Sequence, residues 1–520
     1  MPCVLLGIDI GTSACKVAAF DLDGEVLAAS EEEYPTFYPA PGHVEQDPGL
    51  WLEAVYKAIR TVMSSGHIDP ALIAGIGVDG QSWSCIPVDA EGDVLANTPI
   101  WLDHRGEDIC RRLSERVDEA EILALSGNPL KPSYTTPKIL WFKENMPEVY
   151  RRTRYFLQSN SFVVHALTGV YSQDVCQSYG LHVVDIATGQ YDAAMCERLG
   201  IDQEKLPDIV PCDEVVGHVS RTAADLTGLR AGTPVVAGGL DAACGALGAG
   251  VYRAGQTQEQ GGQAGGMSIV VDRPVVDERL ILSRHVVPDR WLLQGGTVGG
   301  GSSLKWIVEQ IGLAEEVAAQ AAGSTTFAKV SELAASVGAG SDGLIFLPYL
   351  AGERSPIWDP HAQGVFFGLS FEKTRGHLYR SVMEGVAFSL LHNIRTAAQA
   401  GVAVDEMFSI GGATNSAVWT QIKADVTGKT IHAASADSAT TLGAAILAGV
   451  GVGAYADFDE AVRKTTRLRR THHPESKNHV RYQASFDLYA ELYEQLKETM
   501  AKASVVSASI WRRGEMEGRR

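Results

Sequence analysis

A single carboxylate interrupts the run VVAGGLDAACGALGAG at residues 235–250: Asp241 follows two glycines and precedes a string of small side chains. Such a run reads as a buried strand, a tight turn and a close-packed helix, with the acid where that helix begins. A carboxylate in that place is either an N-cap bonded to backbone N–H groups or a general base at the floor of a cleft. A second set stands near the N-terminus, where Asp9, Gly11, Thr12, Ser13 and Lys16 combine an acid, a glycine, two hydroxyls and a cation. Together they could hold magnesium and phosphate through backbone N–H groups; alone they are equally a hairpin turn with a solvated lysine. A third set joins Gln81, Ser82 and Trp83 to the stretch Trp101-Leu102-Asp103-His104-Arg105. Amide, hydroxyl, indole, carboxylate and guanidinium are the groups of a polyol or sugar site, and singly they read as half-buried packing and a surface ion pair.

The elements that must position these groups follow from local pattern. Residues 4–9, 16–20 and 25–29 read as a meander of strands with turns at 11–13 and 21–24, followed by a helix at 51–63 and a strand at 74–79. Gly75, Gly77 and Gly80 match GxGxxG, but they lie inside the strand and no helix follows, so the dinucleotide reading fails. From 105 to 210 the pattern is mostly helical, with helices expected at 138–145 and 162–167, and neither a metal cluster nor a nucleophile–base set stands out. After Asp241 the opening theme returns: a strand at 256–260, a glycine turn at 261–266 and strands at 267–272 and 291–294. This suggests a duplicated chain with a cleft between its halves, and the helix expected at 303–311 would turn its first N–H groups toward phosphates there. Residues 408–416 read as a strand, a turn and a helix start suited to a nucleotide, and 442–450 as another small-residue helix; close packing explains either equally well. Gly428-Lys429-Thr430 lacks the glycine that a P-loop needs at 423 and runs into a strand, so it is rejected. His472-His473 reads as a solvated loop.

Composition narrows the class. A chain of 520 residues with 45% apolar and 21% charged residues is a soluble globular protein too long for one core. Its net charge of −19 argues against a nucleic-acid partner. The eight cysteines stand without CxxC pairs, and the apolar N-terminal run is cut by Asp9 and lacks a basic leader, so a cytoplasmic protein with free thiols is expected.

With these residues in view the chain resembles the FGGY family of carbohydrate kinases. The resemblance rests on Gly364-Val365-Phe366-Phe367-Gly368-Leu369 followed by His377-Leu378-Tyr379-Arg380-Ser381-Val382-Met383-Glu384. With that signature come Asp9-x-Gly11-Thr12-Ser13, Trp101-x-Asp103-x-Arg105, Thr136-Pro137-Lys138, Gly238-Gly239-x-Asp241, Gly352-Glu353-Arg354-Ser355-Pro356 and Gly411-Gly412, from Leu6 to about Tyr493. It implies an α/β fold of two duplicated actin-like, ribonuclease H-like domains around a central ATP and sugar cleft. The boundaries expected are 1–248 for the sugar side, 249–500 for the nucleotide side and 501–520 for a charged tail that is a short helix end and a frayed terminus.

The resemblance further implies ATP and Mg2+ as cofactors and a small-molecule sugar as partner, with neither nucleic acid nor membrane; a homodimer is compatible with it. Carried over residue by residue, Asp241 is the catalytic base, and Asp9 and Asp241 face magnesium. Gln81, Ser82, Trp83, Asp103, Tyr134 and Asp241 fall on the substrate side. Thr12, Ser13, Lys16, Gly261, Gly262, Gly301, Lys305, Gly411, Gly412, Asn415 and Ser416 fall on the nucleotide side. The activity implied is phosphorylation of a terminal hydroxyl of a ketopentose, D-xylulose first. Another ketose or polyol such as ribulose, erythrulose or glycerol is the alternative, and an actin-like ATPase without a sugar is the remaining one. The chain departs from the pattern in two places. Members acting on D-xylulose usually carry Gln-Met-His-Gly where Gln81-Ser82-Trp83-Ser84 stands, and Gly262-Gln263-Ala264-Gly265 replaces a usual glycine–threonine pair. A tryptophan in place of histidine adds apolar bulk, so a shorter or deoxygenated acceptor is compatible with the site.

Overall fold

The computed structural model describes residues 3–66, 68–434 and 438–517. They group into two units, one formed by Met1–Ala254, Val270–Leu293 and Ser438–Arg467, the other by Gly255–Ile269, Gln294–Asp437 and Leu468–Arg520. The units therefore interleave along the chain, where contiguous halves were expected.

In the first unit β1 (Val4–Ile10), β2 (Ala14–Phe20) and β3 (Val26–Glu33) form the meander. β4 (Ile73–Gly80) runs parallel to β1, and both β5 (Pro234–Val236) and β6 (Gly239–Leu240) run parallel to β4. The strand order is β3-β2-β1-β4-β5. All seven positions of β1, Asp9 included, are buried, as expected of a central strand covered on both faces. The helix Pro48–Ser64 contributes Trp51, Val55 and Ile59 to the core around this sheet; Asp47 caps it through the Gly49 N–H.

Two small-residue helices, Asp241–Gly248 and Ala439–Gly451, pack against each other and against β4 at backbone distance. A Cβ at Gly77 would stand 1.9 Å from the Ala444 carbonyl oxygen, and one at Gly443 would stand 1.8 Å from that of Cys244. That close approach draws residues 438–467 into the first unit and decides the two readings of the 442–450 helix for packing. Residues 270–293 join for a different reason: the Asn128 amide donates to the Leu282 carbonyl at 2.7 Å and accepts the Leu282 N–H at 3.0 Å.

The second unit repeats the plan. β7 (Gln256–Gly261) and β8 (Gly265–Val271) form a hairpin, β9 (Trp291–Thr297) lies beside β8, and β10 (Glu406–Ile410) and β11 (Ile431–Ala434) follow in parallel, in the order β9-β8-β7-β10-β11. This is the order of the first unit, so the duplication is visible in topology. His472 ends an added strand, Leu468–His472, and donates its Nδ1–H to Gln421 Oε1 at 3.0 Å, so of the expected solvated loop only His473 is exposed and outside the strand. The signature residue Glu384, in the helix Arg375–Gln399, is buried and bonds the Gly340 N–H at 3.0 Å, Ser341 Oγ at 2.8 Å, Arg380 Nε at 2.7 Å and Tyr482 OH at 2.7 Å. The tail expected from 501 is instead the continuation of a helix, Ser476–Glu517; residues 518–520 lie outside the described residues.

Candidate active site

Strand register brings the acids together. Asp9, next to last in β1, stands opposite Lys16 of β2 on one side and Asp79 of β4 on the other. Asp79 stands opposite Gly239 of β6, two residues before Asp241. Asp9 is 7% exposed and Asp79 fully buried. Among the described residues no donor reaches either oxygen of Asp79 or Oδ1 of Asp9, and since the two carboxyls face one another they can bond only by sharing a proton. Burial raises both, Asp79 far above the usual carboxylate range because Asp9 and Asp241 add to it. Asp79 was missed in the sequence, where it only closes the strand expected at 74–79; the signal was its match to Asp9, an acid one residue before the end of a buried strand.

Asp241 opens its helix at the first helical position, while Leu240 occupies the N-cap without a side-chain bond. Its Oδ1 accepts the Ala242 N–H at 2.6 Å, which satisfies one free donor of the first turn. Desolvation pushes its carboxyl up to about 7, the Asp9 charge adds to this, and the Ala242 bond opposes it. A carboxylate near neutrality at the end of a strand sheet is suited to accept a proton at physiological pH.

The turn joining β1 and β2 is braced rather than free. Thr12 Oγ1 accepts Trp101 Nε1 at 3.0 Å, the Thr12 carbonyl accepts Gln46 Nε2 at 2.7 Å, and Tyr34 OH donates to the Gly11 carbonyl at 2.5 Å. Ser13 and Lys16 remain exposed.

On the expected substrate side Trp83 is buried and adopts φ 58°, the left-handed region that a bulky residue enters only when its surroundings hold it there. Its ring stacks on Tyr134 at 4.1 Å and meets Tyr179 at 5.7 Å, and its indole N–H is buried without a partner. Lys138, of the Thr136-Pro137-Lys138 motif, clamps the Trp83 carbonyl at 2.9 Å and that of Ile100 at 2.7 Å. Tyr134 OH donates to Asn128 Oδ1 at 3.1 Å, and Tyr179 OH to Ser82 Oγ at 3.1 Å. Gln81 donates to Gln46 Oε1 at 2.8 Å and keeps a buried, unpaired Oε1. Tyr179, whose hydroxyl also senses the Asp241 charge, is a further residue the sequence reading passed over. Asp103 is fully buried; its oxygens accept the Val44 N–H at 2.6 Å and the Arg105 N–H and Nε at 2.9 Å, and Arg105 also reaches Glu45 at 2.8 Å. The surface ion pair expected from the sequence is a buried one.

In the second unit the glycine turns line a cavity of about 750 Å³, within the range of a nucleotide-sized pocket. Gly261, Gly262, Gly301, Lys305, Gly412, Asn415 and Ser416 all border it; Gly411 adjoins Gly261 but is not in the lining. Leu304, Phe327 and Trp419 supply the apolar walls, and these carried no sequence signal beyond ordinary helix positions. Ser331 Oγ and Ser416 Oγ lie 2.9 Å apart, and Asn415 Oδ1 accepts Arg469 at 2.8 Å. Lys423 forms a buried ion pair with Glu259 at 2.5 Å, so position 423 carries a structural charge where a P-loop needs a glycine.

Among the described residues no three His, Cys, Asp or Glu side chains form a metal cage, and no helix is long and apolar enough to cross a membrane. The profile of the FGGY family of carbohydrate kinases matches residues 4–248 with its N-terminal domain and 270–452 with its C-terminal domain. A xylulose kinase of Staphylococcus epidermidis is 31% identical over 500 residues, covering 96% of this chain and 98% of the relative. Among solved structures, xylulose kinase from Rhodospirillum rubrum superposes with a TM-score of 0.85 at 29% identity, over 96% of this chain and 100% of that one. Gluconate kinase from Lactobacillus acidophilus gives 0.87 at 26% identity, over 96% and 100%.

Proposed function

The chain belongs to the FGGY family of carbohydrate kinases, with its actin-like two-domain fold, and is an ATP-dependent sugar kinase; from that premise we propose that its acceptor is a terminal hydroxyl of a ketopentose, D-xylulose first. The substrate follows from what the relatives of similar length act on. The observation that carries the mechanism is Asp241, a helix-opening carboxyl raised to about 7 beside Asp9. Asp241 accepts the proton of the attacking hydroxyl as its oxygen bonds the γ-phosphorus and the bond to the β-phosphate oxygen breaks, releasing ADP. Turn N–H groups after Asp9, with Thr12, Ser13 and Lys16, stabilise phosphate oxygens in the first unit, and the glycine-lined cavity of the second unit has the size for a nucleotide.

The buried Oδ1 of Asp9, without a partner among the described residues, fits a hard cation such as Mg2+. When bound, the ion would neutralise phosphate charge as the bond order shifts. A cytoplasmic location is part of the proposal, supported by eight cysteines that are all unpaired. Light scattering decides between a monomer and a homodimer.

A shorter or deoxygenated acceptor is favoured by one observation, the buried Trp83–Tyr134–Tyr179 cluster beside Gln81 and Ser82, whose apolar bulk offers few partners to a more hydroxylated sugar. The test is ADP release from MgATP with D-xylulose, D-ribulose, L-ribulose, L-xylulose, erythrulose, glycerol and gluconate. D-xylulose is expected to give the highest kcat/KM. A preference for another acceptor moves the assignment to that sugar, and stimulation by none of them overturns the sugar-kinase mechanism in favour of a sugar-independent ATPase.

A further inference from the structure

We propose that Asp79 is a second carboxylate of the divalent-cation seat opened by Asp9, a role that rests on the kinase reading above. The parallel register of β1 and β4 runs unbroken from Gly7 opposite Gly77 to Ile10 opposite Gly80, so Asp9 and Asp79 project from the same side of the sheet one strand spacing apart. That spacing is about 4.8 Å, a distance at which two carboxyls can share one small ion. Asp79 is fully buried, faces Asp9, Asp241 and Lys16, and has no donor at either oxygen among the described residues. A buried carboxylate without a donor is costly, and neighbouring positions of this strand are filled by Ile76 and Val78, so an apolar residue would serve packing alone.

The arrangement also relieves a conflict. A carboxylate that must accept a proton is a poorer base while it ligates a cation, and Asp79 leaves Asp241 free for the proton. Magnesium binds through one or two carboxylates, waters and substrate phosphates, so a pair of acids suffices and the lack of a three-residue cage among the described residues is expected. The competing account is structural: Asp79 merely shares a proton with Asp9 and fills space.

The variant Asp79→Asn separates the two, because its carboxamide has the same shape and can donate to Asp9 in place of the shared proton. The probe is Mn2+, titrated into the full-length protein with ADP and followed by electron paramagnetic resonance, with ADP affinity without metal and the thermal midpoint as controls. The cation role predicts that Mn2+ affinity in the ADP complex falls at least about tenfold while both controls hold. Affinity within twofold of wild type overturns it. Should the variant fold poorly, anomalous scattering from Mn2+–ADP in wild-type crystals decides: an ion whose ligands and bound waters include Asp79 supports the seat, and one that excludes it overturns the seat. Neither readout uses sugar, so failure of the kinase reading, seen as no stimulation by any acceptor in the wild type, is distinct from failure of the Asp79 role.

Discussion

Asp241 ties protonation to both rate and stability. An acid raised in the folded state stabilises that state while protonated; the contribution is full below the ordinary value of 3.8 and is lost as pH rises through about 7. As the base it must be ionised, so kcat/KM should climb about tenfold per pH unit below 7 and level off above it; a flat profile from pH 5.5 to 8 would remove Asp241 from that role. Asp241→Asn should cut kcat by about 10²–10⁴-fold, leave ADP affinity unchanged and, at pH 8, leave the thermal midpoint equal to or above wild type. Turnover at the wild-type rate would mean another group takes the proton. Trp83 governs choice rather than chemistry. Trp83→His restores a ring that both donates and accepts, and should change the kcat/KM ratio of D-xylulose to erythrulose by at least about tenfold; an unchanged ratio would show that the indole is not an acceptor contact. Of these residues Asp241 and Trp83 were legible because each breaks a local pattern. Asp79 was not, since its meaning comes from a partner 70 positions away in sequence that only strand pairing supplies.

The site hangs on elements that touch backbone to backbone. Gly77→Ala would press a methyl against the Ala444 carbonyl, and neither the strand nor the helix can yield without moving the sheet that carries Asp79. A loss of at least about 3 kcal/mol is expected from denaturant midpoints at constant m-value. Gly412→Ala is the contrast: a Cβ there meets nothing within 4 Å, yet the residue borders the cavity, so stability should hold while ADP affinity falls. Equal destabilisation by both changes would show that close approach is not what Gly77 provides. Strand and helix limits were readable to within a few residues because periods of two and 3.6 are local. The role of the 439–451 helix was not readable, because small residues look alike whether they face a nucleotide or another helix.

At the scale of the whole molecule, the most family-specific stretch is a structural hub. Glu384 joins the helices Arg375–Gln399 and Ser476–Glu517 through Arg380 and Tyr482. Glu384→Ala would leave a buried guanidinium without its acid and should cost about 3–5 kcal/mol by calorimetry while the KM for ATP stays within twofold; a large rise in that KM with stability intact would place the signature in the nucleotide site instead. Composition, turn chemistry and hydrophobic period, all local properties, determined by themselves that the chain has a repeated strand–glycine-turn–strand plan and that Asp9, Asp241 and the glycine turns are its candidate chemistry. Tertiary structure decided which segments share a unit, that Asp103 is a buried brace, that Asp79 stands opposite Asp9, and that burial pushes the Asp241 carboxyl up to about 7. Pairing across long loops, backbone contact between distant glycines and the removal of water from a carboxyl are properties of the folded neighbourhood, and no window of sequence contains them.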